Sequence, residues 1–182
     1  MKNLLALSLT GILALTLSSA RAEEKNGIGV TVSKTTIDNN DRQSAYSKTI
    51  NRTQALKAVI KNVGFKPQAE AELKWTILIK RYYSSYYSSS SSTYGSNRLT
   101  GQEKIKALKP AESAEFVLGS AQISGYQGSS WAEKDKIEWQ IVITQGTTEL
   151  IKTQSTSSFD ALNKQAGGQS GSSSNKKQGT AD

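Results

Sequence analysis

Residues 70–80, EAELKWTILIK, constrain the fold more than any other part of the chain. Apolar residues alternate there with mainly polar ones, and the apolar set is Ala71, Leu73, Trp75, Ile77 and Ile79. A period of two places these side chains on one face of a β-strand, whereas an α-helix would scatter them around its circumference. At ~3.3 Å per residue the strand would span roughly 30 Å, which exceeds the usual length. The segment therefore predicts a central strand with one face in a core.

Further segments show the same alternation and are bounded by turn residues. They predict strands at residues 27–37, 53–63, 104–108, 114–126, 137–144 and 149–155. We expect Trp75 and Trp139 to lie in facing sheets near the middle of the core. Ser158 is expected to cap a single helical turn over residues 159–164. About seven strands with at most one helical turn predict an all-β fold, an antiparallel β-sandwich.

The two ends of the chain differ in composition from this domain. Lys2 precedes an uncharged apolar run at residues 4–17, and Ala20-Arg21-Ala22 fits the small-x-small rule, so residues 1–22 are predicted to be a cleaved signal peptide. An uncleaved N-terminal anchor is the alternative. The β-sandwich domain is then residues 23–165, with a frayed start at residues 23–26, and residues 166–182 are predicted to be a disordered tail. The protein is expected to be exported to the periplasm, the outer-membrane surface or the extracellular space, with no transmembrane span after cleavage.

Composition removes most catalytic chemistry. The chain has no cysteine and no histidine, which excludes disulfides, a Cys nucleophile, a Ser-His-Asp triad and a usual zinc site. The turn at residues 38–41 lacks the order of a calcium loop, and no glycine-rich phosphate loop is present. Glu70 and Glu72 share one strand face, but Lys74 continues that face as on any solvated strand. We expect no catalytic, cofactor-binding or metal-binding residues.

The candidate contact residues are aromatic. Residues 82–99 form a predicted long loop in which tyrosines stand among serines, a composition that supplies adhesive contact area and adaptable hydrogen bonds. A low-complexity hairpin tip is the alternative. A second loop, at residues 127–136, holds a tryptophan that either covers the end of the core or stacks on a sugar ring. The candidate residues for binding a partner or a glycan are Tyr82, Tyr83, Tyr86, Tyr87, Tyr94, Tyr126 and Trp131.

Three stretches carry a resemblance to a known group of modules. These are LKAVIKNVG at residues 56–64, the strand that follows through Trp75, and LKPAESAEF at residues 108–116. The last resembles the Leu-x-Pro-x-x-Ser-x-x-Phe turn of immunoglobulin-like modules in secreted bacterial proteins, of the CARDB and FxLYD kind. The paired cysteines and the tyrosine corner of antibody domains are missing. The resemblance implies an immunoglobulin-like sandwich that serves as an extracytoplasmic binding, adhesion or spacing module, sometimes in surface fibres or pili.

These patterns favour a secreted, non-catalytic module for binding, adhesion or surface assembly, associated with a pilus or the cell envelope. The net charge of +8 suits an anionic glycan, although lysines spread for solubility explain it as well. The expected partner is an envelope or surface protein or an anionic glycan, and no nucleic acid is expected. One alternative is a self-associating spacer subunit whose sheet edges pair with neighbours. Another is a carbohydrate-binding or carboxylate-dependent glycan-active protein.

Overall fold

The described part of the chain forms ten β-strands and one α-helix. This computed structural model describes residues 21–81, 96–128 and 132–169. The strands and the helix are β1 Arg21–Lys25, β2 Ile28–Asn39, β3 Arg42–Gln43, β4 Lys48–Asn62, β5 Ala71–Lys80, β6 Ser96–Ile105, β7 Ser113–Gln127, β8 Ala132–Lys134, β9 Lys136–Gln145, β10 Thr148–Gln154 and α1 Phe159–Gln169. The all-β fold predicted from the sequence is confirmed.

The strands form two antiparallel sheets. The first has the order β1-β2-β4-β7-β8, with β3 paired to β4, and the second has the order β10-β9-β5-β6. The strand β5 pairs with β9 on one side and with β6 on the other. Its predicted central position is therefore confirmed, and so is the hairpin of β9 and β10.

One apolar core is shared by the two sheets. Val30, Ala58 and Ile60 enter it from the first sheet, and Leu73 and Ile141 enter it from the second, all of them buried. The alternating apolar side chains of β5 enter this core because every second side chain of a strand points the same way. The core thus lies between the sheets, where the sequence pattern placed it.

The helix α1 covers part of the second sheet. Phe159, Leu162 and Ala166 share one helical face at a spacing of three and four residues, and they pack against Leu78 of β5. Leu78 occupies an even position of β5 and is almost fully buried, at 1% exposure. The strand β5 is therefore covered on both faces at this point, by the core and by α1.

The predicted placement of the two tryptophans is wrong. Trp75 and Trp139 lie in the same sheet, on the adjacent strands β5 and β9, where Trp75 is opposite Ile141 and Trp139 is opposite Ile77. Each segment was correctly predicted as a strand, but alternation along one strand carries no information about which strand lies beside it.

Several predicted boundaries are also corrected. The strand β6 begins at Ser96, so the end of the predicted loop at 82–99 is strand, and β4 begins at Lys48 rather than at 53. Residues 23–26, predicted to be frayed, lie mostly in β1, which pairs with β2. The helix continues to Gln169, past residue 164 and into the predicted tail at 166–182.

The remaining terminal predictions lie outside the described residues. These are the tail at 170–182 and all of the predicted signal peptide except Arg21 and Ala22, which open β1. Within the described ranges, no helix is long and apolar enough to cross a bilayer.

Candidate functional site

Most of the predicted contact residues cannot be placed. Tyr82, Tyr83, Tyr86, Tyr87, Tyr94 and Trp131 lie outside the described residues. Tyr126 is described, and it lies near the end of β7, opposite Thr49 of β4, with 41% of its surface exposed. We therefore describe the site from the residues that flank the two internal segments outside the described residues, 82–95 and 129–131.

These flanking residues lie at one end of the molecule. The ladder of β5 and β6 ends at the pair Lys80 and Ser96, and the ladder of β7 and β8 ends at the pair Gln127 and Ala132. Lys80 is also opposite Lys136, the first residue of β9. We call this end of the two sheets, formed by Lys80, Ser96, Gln127, Ala132 and Lys136, the loop end. Both segments that hold the predicted aromatic residues start and finish here.

A buried ion pair joins the two sheets at the loop end. The guanidinium Nη1 of Arg81 lies 2.6 Å from Oδ2 of Asp135 and donates to the carbonyl of Gln122 at 2.8 Å. The same carboxylate oxygen accepts the backbone N–H of Ser124 at 3.1 Å, and the N–H of Asp135 donates to the carbonyl of Ser124. Asp135 is only 5% exposed. Arg81 follows β5 and Ser124 belongs to β7, so this clamp holds the first sheet to the second.

A basic cleft lies beside the clamp. It has a volume of about 210 Å³, an apolar floor that includes Ile50, Ile123 and Ile137, and a charged lining of Lys34, Arg52, Lys134, Lys136, Asp135 and Glu138. Basic residues outnumber acidic ones in this lining. The cleft is therefore suited to an anionic group that brings some apolar surface with it.

Lys34 is the innermost cation described in the cleft. Its Nζ donates to the carbonyl of Ile137 at 2.9 Å, which is a second link between β2 of the first sheet and β9 of the other. Burial lowers the pKa of Lys34, the carboxylate of Glu138 opposes this shift, and the charge of Lys134 adds to it. An anion bound in the cleft would favour the protonated form of this amine.

The turn between β2 and β4 is fixed by Asp41. Its carboxylate accepts hydrogen bonds from the guanidinium of Arg52, lies 2.9 Å from Nζ of Lys48, and accepts the N–H of Asn51 at 3.2 Å. The hydrogen bond from Arg52 is the main reason that the pKa of Asp41 lies far below its usual range. Because these donors occupy the carboxylate, Asp41 orients Arg52 at the wall of the cleft.

Metal ligation gains no support in the described part of the chain. There, no three acidic residues come together in a group that could hold a metal ion. Asp38, the other carboxylate of the turn at 38–41, accepts the side-chain amide of Asn40 at 2.7 Å.

The predicted carboxylate pair lies at the opposite end of the molecule. Glu70 and Glu72 line an open cleft of about 660 Å³ together with Lys104 and Lys106. Glu72 contacts the side chain of Gln102 and lies 2.8 Å from Nζ of Lys74. Glu72 is therefore engaged by neighbouring side chains of the same sheet, as on any solvated strand face.

Sequence reasoning missed the clamp and the basic cleft. Arg81 and Asp135 are 54 positions apart, and Lys34 and Ile137 are 103 positions apart. The only local sign of the clamp in the sequence was the run of charged residues at 133–136, which we assigned to the predicted loop at residues 127–136. Asp135 is instead the one charged residue that is buried in the described part of the chain.

Comparisons with known proteins add little. No protein-family model matches the chain, and no curated protein matches it significantly. Two crystal structures show a structural similarity: Bacteroides uniformis β-glucuronidase 2 covalently bound to cyclophellitol-6-carboxylate aziridine, at 16% identity and a TM-score of 0.34, and Bacteroides uniformis β-glucuronidase, at 14% identity and a TM-score of 0.32. Each match covers 68% of this chain and 12% of the other. At these TM-scores the similarity carries no argument about fold or function.

Proposed function

We propose that the chain is an exported, non-catalytic binding module that holds an anionic glycan of the cell envelope at its loop end. The observation that carries the proposal is the position of the basic cleft. It lies at the end of the sheets from which the tyrosine-rich segment and the segment with Trp131 both leave. The cationic side chains of the cleft therefore lie beside the points where these two segments leave the sheets.

The order of the strands supports an immunoglobulin-like sandwich. If the strands of such a fold are lettered in chain order, β2, β4 and β7 correspond to A, B and E, and β10, β9, β5 and β6 correspond to G, F, C and C′. In immunoglobulin variable domains the ligand-binding loops cluster at one end of the sandwich. With this lettering the loop end carries the C–C′ and E–F connections, at the end opposite to the B–C and F–G loops, so the strand order supports the fold and not the position of the site.

The chemistry of the loop end supports an acidic sugar as the ligand. Carboxylate, sulfate and phosphate groups form charge-assisted hydrogen bonds with Lys and Arg, and the apolar faces of sugar rings stack on aromatic side chains. Lys134 and Lys136 are both exposed at the cleft, where a ligand can reach them. The export predicted from residues 1–22 would place the protein where envelope polysaccharides occur.

A direct binding experiment tests this proposal. The protein is titrated with acidic and neutral polysaccharides by calorimetry, alongside the double variant Lys134→Gln/Lys136→Gln and a form lacking residues 84–95. We expect binding of an acidic polysaccharide that weakens several-fold in the double variant, strengthens at low salt, and is lost on deletion of the segment.

The matched control is Lys104→Gln/Lys106→Gln. It makes the same change of charge at the same spacing, at the opposite end of the molecule. Equal loss of affinity in both double variants would show that only net charge matters and would contradict a site at the loop end. Cleavage of any glycan by the unmodified protein would contradict the non-catalytic part of the proposal.

Self-association as a spacer is the second candidate, and strand β6 favours it. This ten-residue strand pairs with β5 and, among the described residues, with no other strand. An exposed strand edge presents N–H and C=O groups that a second copy can pair with. Size-exclusion chromatography distinguishes the two functions. A self-associating spacer should elute at an apparent mass larger than that of the monomer, whereas a glycan-binding module can elute as a monomer.

A further inference from the structure

The end of the molecule opposite the loop end presents a fully exposed aromatic side chain. Phe65, in the connection between β4 and β5, is 100% exposed, and its neighbour Val63 is 38% exposed. Leaving a phenylalanine in water forgoes the free energy that burial would provide, and the core of this domain does not use this ring. A single exposed apolar residue is common on protein surfaces, so this ring indicates a contact only together with the apolar and charged residues around it.

The loop that carries Phe65 is held in place by hydrogen bonds. Asn62 is fully buried, and its side-chain amide donates to the carbonyls of Lys66 and Leu108, while its Oδ1 accepts the N–H of Gly64 at 2.9 Å. The N–H groups of Val63 and Gly64 both donate to the carbonyl of Gly27. Phe65 is therefore presented by a fixed loop, so that little conformational entropy is lost when it makes a contact.

A second connection is joined to this one. Gln68 and Leu108 exchange two backbone hydrogen bonds, at 2.9 and 3.0 Å, and Asn62 exchanges two more with Ala111 and Glu112. We call the two joined connections, residues 62–68 and 106–112, the Phe65 tip. Apart from Val63 and Phe65, the tip exposes Pro67 and Pro110. These four side chains are the exposed apolar residues around which the tip is described.

The Phe65 tip is surrounded by lysines. Lys66, Lys106 and Lys109 lie in the two connections and Lys61 lies at the adjacent end of β4, and all of these side chains are exposed. The acidic residue within the tip, Glu112, is turned back so that its carboxylate accepts the N–H of Lys109 at 2.8 Å. Glu70 is exposed just beyond the tip, so four lysines stand against two carboxylates and the charge around the aromatic ring is positive on balance.

From this arrangement we propose that the Phe65 tip docks on the surface of an anionic lipid bilayer. The ring of Phe65 enters the boundary between headgroups and acyl chains, and the lysines contact the anionic headgroups. An apolar anchor combined with basic side chains is the combination that binds peripheral proteins to such membranes. A fluid surface adapts to one fully exposed ring, whereas a protein partner would require a preformed pocket for it.

The proposal is independent of glycan binding, because the two surfaces lie at opposite ends of the strands. Docking through the Phe65 tip would direct the loop end away from the membrane. Failure of either proposal leaves the other intact, and the same protein samples can be used to test both.

A single fluorescent label provides the test. The chain has no cysteine, so Ala107→Cys introduces a unique attachment site in the tip while Phe65 and all the lysines are kept. Ala107 is exposed, and the matched control label is carried by Ser120→Cys, which is exposed on β7 away from the tip. Each labelled full-length protein is titrated with phosphatidylcholine vesicles and with phosphatidylcholine vesicles enriched in phosphatidylglycerol.

We expect the emission of the label at position 107 to shift to the blue with phosphatidylglycerol-rich vesicles only, and the label at position 120 not to respond. In the Ala107→Cys background, Phe65→Ser should weaken the apparent affinity for these vesicles by roughly tenfold. Lys61→Gln/Lys66→Gln should weaken it to a similar extent and reduce its dependence on salt. Thermal melts check that each variant is folded. We expect this because Lys61, Phe65 and Lys66 are all exposed.

The proposal is overturned if the label at position 107 responds to neither vesicle, or if Phe65→Ser leaves its titration unchanged. A photocrosslinker at position 65 that captures one purified envelope protein, with no response to lipid, would overturn it in favour of a protein partner. Polysaccharide binding should be the same with and without Phe65→Ser, which separates this result from the test of the loop end.

Discussion

Trp75 lies in a slot that glycine makes possible. A Cβ atom on Gly101, the residue opposite on β6, would lie 2.1 Å from Cζ2 of the indole, and one on Gly119 of the other sheet would lie 3.3 Å from its Cη2. The indole Nε1 is buried and has no hydrogen-bond partner among the described residues. The ring therefore contributes through its shape and apolar area, and its N–H group reduces that contribution.

Trp75→Ala should remove a large share of the stability of the domain. We expect a loss of ~3–5 kcal/mol out of a total of ~5–15 kcal/mol, because the slot cannot close around a methyl group. Trp75→Phe should cost clearly less, since no hydrogen bond is lost with the indole. Urea denaturation followed by circular dichroism measures both changes, and an unfolding midpoint that does not move in Trp75→Ala would contradict this role.

Asp41 makes stability depend on pH in the acid range. Its pKa is lower in the folded chain than in the unfolded chain, mainly because of the hydrogen bond from Arg52. The stabilisation is complete above the unfolded value of about 4 and is lost as the pH falls toward the folded value. Asp41→Asn should therefore destabilise the protein at neutral pH and flatten the decline of stability below about pH 4. Asp38→Asn is the control, because that carboxylate accepts a hydrogen bond from the neutral side-chain amide of Asn40 and not from a guanidinium.

At the scale of single elements, the strands with one buried face were the ones whose bounds could be predicted from the sequence. The strands β2, β5, β9 and β10 were predicted near their observed bounds because one face of each lies in the core, and burial imposes alternation. The first part of β6, residues 96–103 with the sequence SNRLTGQE, is mainly polar because it is an edge strand. Residues 96–99 were assigned to the tyrosine-rich loop instead, and the strand was predicted to begin only at residue 104. The pairing of Trp75 with Ile141 was not predictable because it joins residues from distant parts of the chain.

The helix α1 was predicted as a single turn because its apolar face is narrow. Phe159 is completely buried and packs with Leu78 and Ala166. Phe159→Ala should cost ~3–5 kcal/mol and release α1 from the second sheet. Hydrogen exchange should show loss of protection in α1 and on β5 near Leu78. Lys164→Ala, on the exposed side of the same helix, should leave the protection unchanged.

At the scale of the whole molecule, side chains join the two sheets near both ends. At the loop end Arg81 reaches Asp135 and Lys34 reaches the carbonyl of Ile137, and toward the opposite end Nδ2 of Asn26 donates to the carbonyl of Leu150 at 2.6 Å. All of these contacts connect residues that are distant in the sequence. The sequence therefore indicated the two layers and the aromatic segments, but not the clamp and the cleft between them.

A double-mutant cycle on the clamp measures the coupling between the sheets. For Arg81→Ala and Asp135→Ala we expect a coupling energy of ~0.5–3 kcal/mol, because Asp135 is buried and its carboxylate contacts the guanidinium of Arg81 and the N–H of Ser124. The exposed pair Lys57 and Glu115 is the control, where we expect about 0–1 kcal/mol. Equal coupling energies in the two cycles would show that the clamp does not hold the sheets together.

The pairing of Lys80 with Ser96 has a consequence for how this protein can diversify. The two residues are held face to face by a ten-pair ladder, so the chain between them is closed by its stem whatever its length. Closing a longer connection costs only ~0.6 kcal/mol for each doubling. Insertions, deletions and repeat expansion between these two positions can therefore be accommodated while the scaffold stays the same, and foreign peptides can be grafted at the same junction.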